Sequence, residues 1–414
     1  MGFRGREFAF DSPAAAVAGM VSRVGCGGVV ERVGLGEARG RVLAEDVCAD
    51  RESPAFDHSA MDGYAVRVEG LVAGLEVAGE SRIGEEPPRL EGSGRAVRIA
   101  TGAGIPEGAD AVIRREDVVE IGEPVARVEI ATGALSRVRV GDNIRRRGEN
   151  AARGVVVVSR GTLIGAATVG TLAAVGCVRV AVCARVKVGI ITTGDELVDA
   201  GDEPRVYEVR NSNGPGLSGM LGGHAWVGVE RVVHVRDEGD GLEREVRGAL
   251  EGCDVVVMTG GVSMGHRDPV RGVVERVGAE VVFHGLPQRP GKPMLGAVVE
   301  RGVMGARAVA VFGLPGNPVS AMVTARRIVV PVMAARAGMA GVREPVVAEI
   351  ANGDGKSLEL WWHRLARVGV DGRVELVDTR GSGDIVSCGR AEGFVEMAPG
   401  DAGTRARFYA WDGV

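Results

Sequence analysis

Four times between residues 186 and 334 an apolar run is followed by a stretch with helical period. VKVGIITTG precedes SNGPGLSGMLGG, and HAWVGVERVVHV precedes GLEREVRGALEG. DVVVMTGG precedes DPVRGVVERVG, and AVAVFGLPG precedes NPVSAMVTARRIVVPVM. Strands alternating with helices can bury their apolar surface as βαβ units, with parallel strands layered between helices on both faces. In such open sheets, ligands bind outside the carboxyl ends of the strands. Here those ends carry TTGDEL (192–197), RDE (236–238), TGGVSMGHRD (259–268) and GLPGNPVS (313–320).

The flanks read differently. Ser12 is an N-cap with Pro13 in the first turn of a helix over 12–24, and Asn213 is a possible cap of the helix after the first strand. GEARGRVLAEDV (36–47) is a second short amphipathic stretch, before RESPAFDHSAMDGYAV breaks the helical pattern. From about 66 to 148 short β segments alternate with Gly/Pro turns, and a helix-like TLIGAATVGTLAAVG and a strand VRVAV follow. Residues 335–414 return to glycine-punctuated strands, as in a small β-barrel. The expected organisation is α/β multidomain. A discontinuous N-terminal helical/mixed domain (1–53 and 149–185) carries an inserted β-rich domain (54–148). A doubly wound, mostly parallel sheet domain (186–334) and a C-terminal β-barrel (335–414) follow. A length of 414 residues suits roughly two to four domains.

Composition excludes several functions. A net charge of −5 gives no pull toward nucleic acid or anionic membrane, and 4% aromatic residues leave few stacking platforms. The six cysteines form no C-x-x-C pair and read as small buried hydrophobes in a reducing cytosol. MGFRGREFAFD is too charged for a signal peptide, and no apolar run approaches the roughly 20 residues of a membrane span. The expectation is a soluble, cytoplasmic protein. Only Lys187, Lys292 and Lys356 are lysines against an arginine-rich background, so each invites a question about its role.

Gly261-Val262-Ser263-Met264-Gly265 fits the G-x-S-x-G nucleophile elbow, directly after a strand. Its triad partners are missing. His266 is too close in the chain, His284 ends a strand of the same sheet, and His363 belongs to another domain. The competing reading is a glycine turn that aims backbone N–H groups at an anion. A second such turn surrounds Pro315 and Gly316, where Asn317 is an N-cap and Pro318 opens a helix containing Ser320. The same rim collects Asp195, Glu196, Asp237, Glu238 and Asp268. Singly, each could be a cap or a solvated turn residue; together they point to Mg²⁺ beside phosphate. Gln288-Arg289-Pro290-Gly291-Lys292-Pro293 adds cations on a stiff loop.

PAFDHSAMDGYAV (54–66), TGAGIPEGADAVIRRE (101–116), NIRRRGEN (143–150), TTGDEL, TGGVSMGHRD, RPGKP and GLPGNPVSA resemble, in order, the molybdopterin molybdenumtransferase family. That family is known as MoeA in bacteria and as the E domain of gephyrin in animals. The resemblance covers nearly the whole chain and implies an elongated homodimer whose sheet domain is shared with molybdopterin adenylyltransferases. It implies molybdate and adenylylated molybdopterin as substrates, with hydrolysis of the adenylate and release of AMP. Molybdopterin adenylyltransferase and molybdoenzymes are the implied partners. By the same resemblance Glu196, Asp237 and Asp268 would be catalytic and metal-holding, and Asp62 would act from the inserted domain across the dimer interface. Gly260, Gly261, Ser263, Arg289, Lys292, Pro315, Gly316, Asn317, Pro318, Ser320 and Thr101 would bind the anions. Arg145, Arg146 and Arg147 could touch an anion or form a solvated edge.

Two other functions fit parts of the chain. Adenylyltransferase activity would need little more than the sheet domain, and the long flanks argue against it. A scaffold role would need a partner motif, which the residues do not reveal. One departure stands out: the family commonly ends NIRRRGE with Asp, and here Asn150 takes that place. Asparagine keeps the oxygen but loses the charge, so it can neither act as a base nor bind Mg²⁺ strongly. If that aspartate is needed, the native protein is expected to hydrolyse adenylate more slowly than its Asn150→Asp variant, to shift its metal preference or to rely on Glu149; equal rates would remove the concern.

Overall fold

The computed structural model describes residues 8–25, 27–237, 240–262, 269–300, 308–341 and 345–413. The chain forms two compact units: residues 1–45, 160–169 and 178–414 make the first, and 46–159 with 170–177 the second.

The centre of the first unit is a six-stranded sheet of β1 (Val186–Thr193), β2 (Val227–Val235), β3 (Val255–Thr259), β4 (Glu280–His284), β5 (Leu295–Val299) and β6 (Val309–Leu314). Its order is β2-β1-β3-β6-β5-β4; β2, β1, β3 and β6 run parallel, and β5 pairs antiparallel with both β6 and β4, so that β5 alone is reversed. Alternating residues divide between two cores, as the pleat requires. Val188, Ile190, Val255, Val257 and Phe312 face helices α1 (Pro13–Val24) and α2 (Asn213–Gly222), with the long helical run 318–336. Ile191, Val256, Met258 and Val311 face α3 (Gly241–Gly252) and α4 (Pro269–Arg276). The expected doubly wound sheet is present.

Ser12 caps α1 by accepting from Ala15 N, and Pro13 opens it, as the residue types require. Ala16, Met20 and Val24 of α1 lie in the same core as the sheet. The stretch 36–47 is not a helix: after a three-residue 3₁₀ turn, Leu35–Glu37, its backbone makes bridges at Val42↔Leu163 and Leu43↔Val182. Tertiary pairing outcompetes a weak local amphipathic signal there.

Residues 318–336 are long and apolar enough to span a bilayer, contrary to the expectation that no run approaches that length. They are 83% buried, and a π-helical turn at Ala325–Val329 interrupts them. Three buried arginines in this run each reach an internal acceptor. Arg326 Nε donates to the Ala410 carbonyl at 2.6 Å, Arg327 Nε to Glu396 at 2.5 Å and Arg336 Nη2 to Asp254 at 2.6 Å.

The C-terminal strands are β7 (Val346–Glu349), β8 (Trp361–Val368), β9 (Val374–Leu376), β10 (Gly393–Met397) and β11 (Arg405–Ala410). Pairing runs β9-β8-β10-β11-β7. An Ile350↔Val374 bridge returns the end of β7 to β9, which closes a small barrel. A short helix, Ile385–Arg390, capped by Asp384, stands among the glycine-punctuated strands, where no helix is expected from the sequence. The second unit holds another six-stranded sheet, with Tyr64, Val66, Leu75 and Val128 in one core and Ala65, Val97 and Val112 in another.

Of the cysteines, Cys183, Cys253 and Cys388 are buried as expected, but Cys48 is exposed. Burial pushes the Cys388 thiol up to about 11, which keeps it protonated and inert.

Glu396 anchors a buried network. Its carboxylate accepts from Arg327 and Tyr409 and lies 3.1 Å from His363 Nε2. Burial alone would raise its pKa; hydrogen bonds from His363 and Arg327 outweigh this and hold it at about 2. A carboxylate depressed in the fold stabilises it above the unfolded value of roughly 4.3, and that contribution is lost as pH falls toward the folded value. Urea midpoints should therefore fall between about pH 4 and pH 2. Glu396→Gln should lose about 3–5 kcal/mol at pH 7, because it strands the Arg327 charge, and show a shallower acid decline.

Candidate functional site

Parallel pairing sets Thr192, Thr259 and Leu314 side by side, so the loops after β1, β3 and β6 leave one rim. A cavity of about 890 Å³ opens there. Glu196, Asp237, Gly260, Gly261, Pro315, Gly316, Asn317 and Pro318, all singled out from the sequence, line it. Ser263 and Asp268, with Glu238, lie outside the described residues, so the G-x-S-x-G turn is described only as far as Val262.

Glycine is required in the β3 turn. Gly260 has φ +98°, and a Cβ there would lie 2.1 Å from the Thr193 carbonyl oxygen. Gly261 follows at φ +61°. Consecutive left-handed glycines let the backbone turn beside β1 without side chains, which is how main-chain amides come to border an anion.

Side-chain hydrogen bonds tie the loops together. Thr193 Oγ1 donates to Asp237 Oδ1, and Asp237 N donates to Asp195 Oδ1 at 3.1 Å. Asn213 was expected as a helix cap. It is instead the first residue of α2, and its Nδ2 donates to Thr259 Oγ1 and to the Gly316 carbonyl, both at 2.8 Å. The capping contact comes from Asn211, whose Oδ1 accepts from Gly214 N at 3.1 Å. Asn213 thus ties the β3 end to the β6 turn, a role its place before a helix could not reveal.

Asn317 is the N-cap expected, but its side chain donates to Ser382 Oγ at 2.9 Å rather than to its own helix. The Ser382 carbonyl accepts from Val319 N at 3.0 Å, and Pro318 has no N–H. That helix end therefore offers fewer free amides than its sequence suggests.

Arg289, Lys292 and Ser320 line a second cavity of about 870 Å³, which shares Pro293, Pro315 and Asn317 with the first. Strand pairing of Gln288–Arg289 with Trp361–Trp362 holds the cationic loop against the barrel. Across the cavity Arg364 sits 4.4 Å over the Trp362 ring and makes two bonds to Asp354, at 2.7 and 2.9 Å. Those bonds, with Lys356, hold the Asp354 carboxyl far below the usual range. Trp362, Asp354 and Arg364 were not singled out from the sequence as ligand-side residues; no local motif marks them. His363, set apart from the G-x-S-x-G turn by its place in another domain, has a fully buried side chain bonded to Glu396.

In the second unit Asp62 and Thr101, 39 residues apart, form a pair. Thr101 N and Oγ1 donate to Asp62 Oδ1 at 2.7 and 2.9 Å. These bonds lower the Asp62 pKa and keep it ionised. The arginine triplet is matched to acids: Arg145 with Glu149, Arg146 with Asp57 and Arg147 with Glu52. Asn150 Oδ1 accepts from Arg145 Nη2 at 3.0 Å.

Glu196 and Asp237 could serve a hard divalent cation. Mg²⁺ is typically held by one or two carboxylates, with water and phosphate oxygens completing its shell. Among the described residues no group of three His, Cys, Asp or Glu side chains is gathered for a metal.

Residues 12–176 match the MoeA N-terminal region (domain I and II), and 189–335 match a probable molybdopterin binding domain. The chain is 35% identical over 318 residues to a Haemophilus influenzae molybdopterin molybdenumtransferase, covering 76% of this chain and 75% of that one. It is 32% identical over 357 residues to the Synechococcus elongatus protein of that name, covering 83% and 84%. A molybdopterin biosynthesis MoeA protein from Pyrococcus horikoshii OT3 superposes with a TM-score of 0.78 at 25% identity, over 97% of this chain and 98% of that one.

The closeness of Gly260 to the Thr193 carbonyl gives a direct test of the rim. Gly260→Ala should lose more than about 1 kcal/mol in chemical denaturation, from the unfavourable φ together with the clash. An unchanged midpoint would mean that the turn has room the structure does not show.

Proposed function

Because the chain belongs to the molybdopterin molybdenumtransferase family, enzymes of molybdenum cofactor biosynthesis, we propose that its rim binds adenylylated molybdopterin and molybdate and releases AMP in an Mg²⁺-dependent step. One observation carries this reading. Two cavities adjoin at Pro315 and Asn317; carboxylates and glycine turns border the first, and Arg289 and Lys292 border the second. A phosphoanhydride and a separate oxyanion need such neighbouring, chemically different sites.

In this reading the first cavity takes the nucleotide-pterin. The Gly260–Gly261 turn lies along its phosphates, and Asn213 keeps the two rim turns at a fixed separation. Glu196 and Asp237, with Asp268, would hold Mg²⁺, and that ion would supply positive charge beside the phosphate oxygens. Thr193 orients Asp237 through its hydroxyl. Water adds across the broken bond, leaving AMP and the pterin monophosphate. Ser263 donates a hydrogen bond to an anion oxygen.

The second cavity takes molybdate. Arg289 and Lys292 provide its charge complement, and Ser320 stands at its wall. The molybdenum of molybdate then passes to the pterin dithiol: two Mo–S bonds form, one Mo–O bond breaks, and that oxygen leaves as water with the two thiol protons. Asp62, held ionised by Thr101, belongs to this proposal as an acidic group delivered within a homodimer. A cytoplasmic setting, supply by a molybdopterin adenylyltransferase and delivery to molybdoenzymes complete it.

The test is release of AMP from adenylylated molybdopterin, followed with molybdate present. Asp237→Asn should slow release at least about 100-fold, and chelation of divalent cations should stop it until Mg²⁺ is restored. Undiminished release after complete chelation would defeat the proposal.

A further inference from the structure

Among the described residues, the wall of the first cavity is incomplete for the ligand just assigned to it. A nucleotide-pterin carries planar rings, and proteins usually hold such rings by stacking aromatic side chains on them. The described lining of this cavity contains no aromatic residue. The loop that supplies part of that lining does carry one.

Pro204, Glu208, Val209 and Arg210 line the cavity, and Val209–Arg210 pairs with Leu197–Val198 as a short ribbon. Between Pro204 and Glu208 the chain makes a β-turn. Glu208 N donates to the Arg205 carbonyl at 3.1 Å, and the Glu208 carboxylate accepts from Arg205 N at 2.9 Å. Arg210 Nε ties the base of the loop to the Asp202 carbonyl at 3.0 Å. The turn is therefore built, not slack.

Its two central residues are Val206 and Tyr207, 89% and 92% exposed. Turn centres usually hold Pro, Asn, Asp, Ser or Gly, for reasons of backbone geometry and hydration. A β-branched residue beside an aromatic is a poor choice for the turn itself and leaves both apolar side chains in water. Among the described residues the Tyr207 ring meets no other ring and its hydroxyl has no hydrogen-bond partner. The residue types make sense if the tip meets a surface that arrives with the ligand.

We propose that the Val206–Tyr207 tip is the missing wall of the first cavity, with Tyr207 stacking on a planar nitrogen heterocycle of the bound substrate and Val206 shielding its edge. This rests on the proposed function, since it takes the ligand from that reading. Tyr207 is then a binding and specificity residue that acts on the ring, while the glycine turn and the carboxylates act on the phosphates.

The test titrates AMP, a phosphorylated 6-hydroxymethylpterin and ribose 5-phosphate separately, with Mg²⁺, by calorimetry on the full chain. Tyr207→Ala should weaken binding of one ring-bearing ligand about ten-fold, and the affected ligand identifies which ring is clasped. Tyr207→Phe should keep native affinity, and ribose 5-phosphate should bind native and variant proteins alike. With the full substrate, Tyr207→Ala should raise KM and leave kcat nearly unchanged. If native protein binds a ring-bearing ligand and Tyr207→Ala binds both as well as native does, the inference fails while the functional reading stands. If native protein binds neither, the functional reading fails and takes this inference with it. A lower mass for Tyr207→Ala in sedimentation would assign the tip to self-association and overturn the stacking role.

Discussion

Parallel pairing of β1, β3 and β6 is the constraint on which the site depends. Strands that run the same way must shed their following loops on the same side, and here they end level at Thr192, Thr259 and Leu314. β5 runs against them, whereas β4, antiparallel to β5, runs with them, and the chain that follows it brings Pro293 to the first cavity. Once three loops share an edge, they need contacts that keep them apart at a usable distance. Asn213 supplies one, between Thr259 and Gly316, and Thr193 supplies another through Asp237. The carboxylates and the glycine turns are thus neighbours because of strand direction rather than closeness in sequence.

The second cavity depends on a different contact, that of the barrel with the helical run 318–336. Burying three arginines in an apolar helix would be prohibitive without acceptors. Each finds one in another element: the Ala410 carbonyl, Glu396 and Asp254. The π-helical turn shifts register by one residue within the run, and Arg326 and Arg327 inside it both reach C-terminal strands. A single ion pair from Arg327 thus joins helix and barrel beside the wall on which Arg289, Lys292 and Arg364 gather. The same acceptors explain why a run of this length and hydropathy is interior to the protein.

Much of this was legible before any coordinates. The alternation over 186–334 identified the sheet, and the expected rim residues Glu196, Asp237, Gly260, Gly261, Pro315 and Gly316 do line one cavity. Local signals failed where a side chain had two uses of similar local worth. Asn213 and Asn317 both stand at helix starts, where an amide commonly caps, yet each spends its side chain on a distant loop. The arginine triplet left an anion contact and a solvated edge both open, and Asp57 and Glu52, about ninety residues earlier, pair with two of its members. Residues 36–47 show the same competition at the level of the backbone.

The chain's own order of residues determined where strands and helices alternate, which turns must carry glycine, and which acids and cations stand at strand ends. Those properties follow from periodicity and backbone sterics, which act over a few residues. Only the tertiary structure decided that the residues expected to bind anions divide between two cavities, that Asp62 is held by Thr101, and that Glu396 is buried among His363, Arg327 and Tyr409. Such pairings depend on which distant surfaces meet when the apolar faces are buried, and no local pattern encodes that meeting.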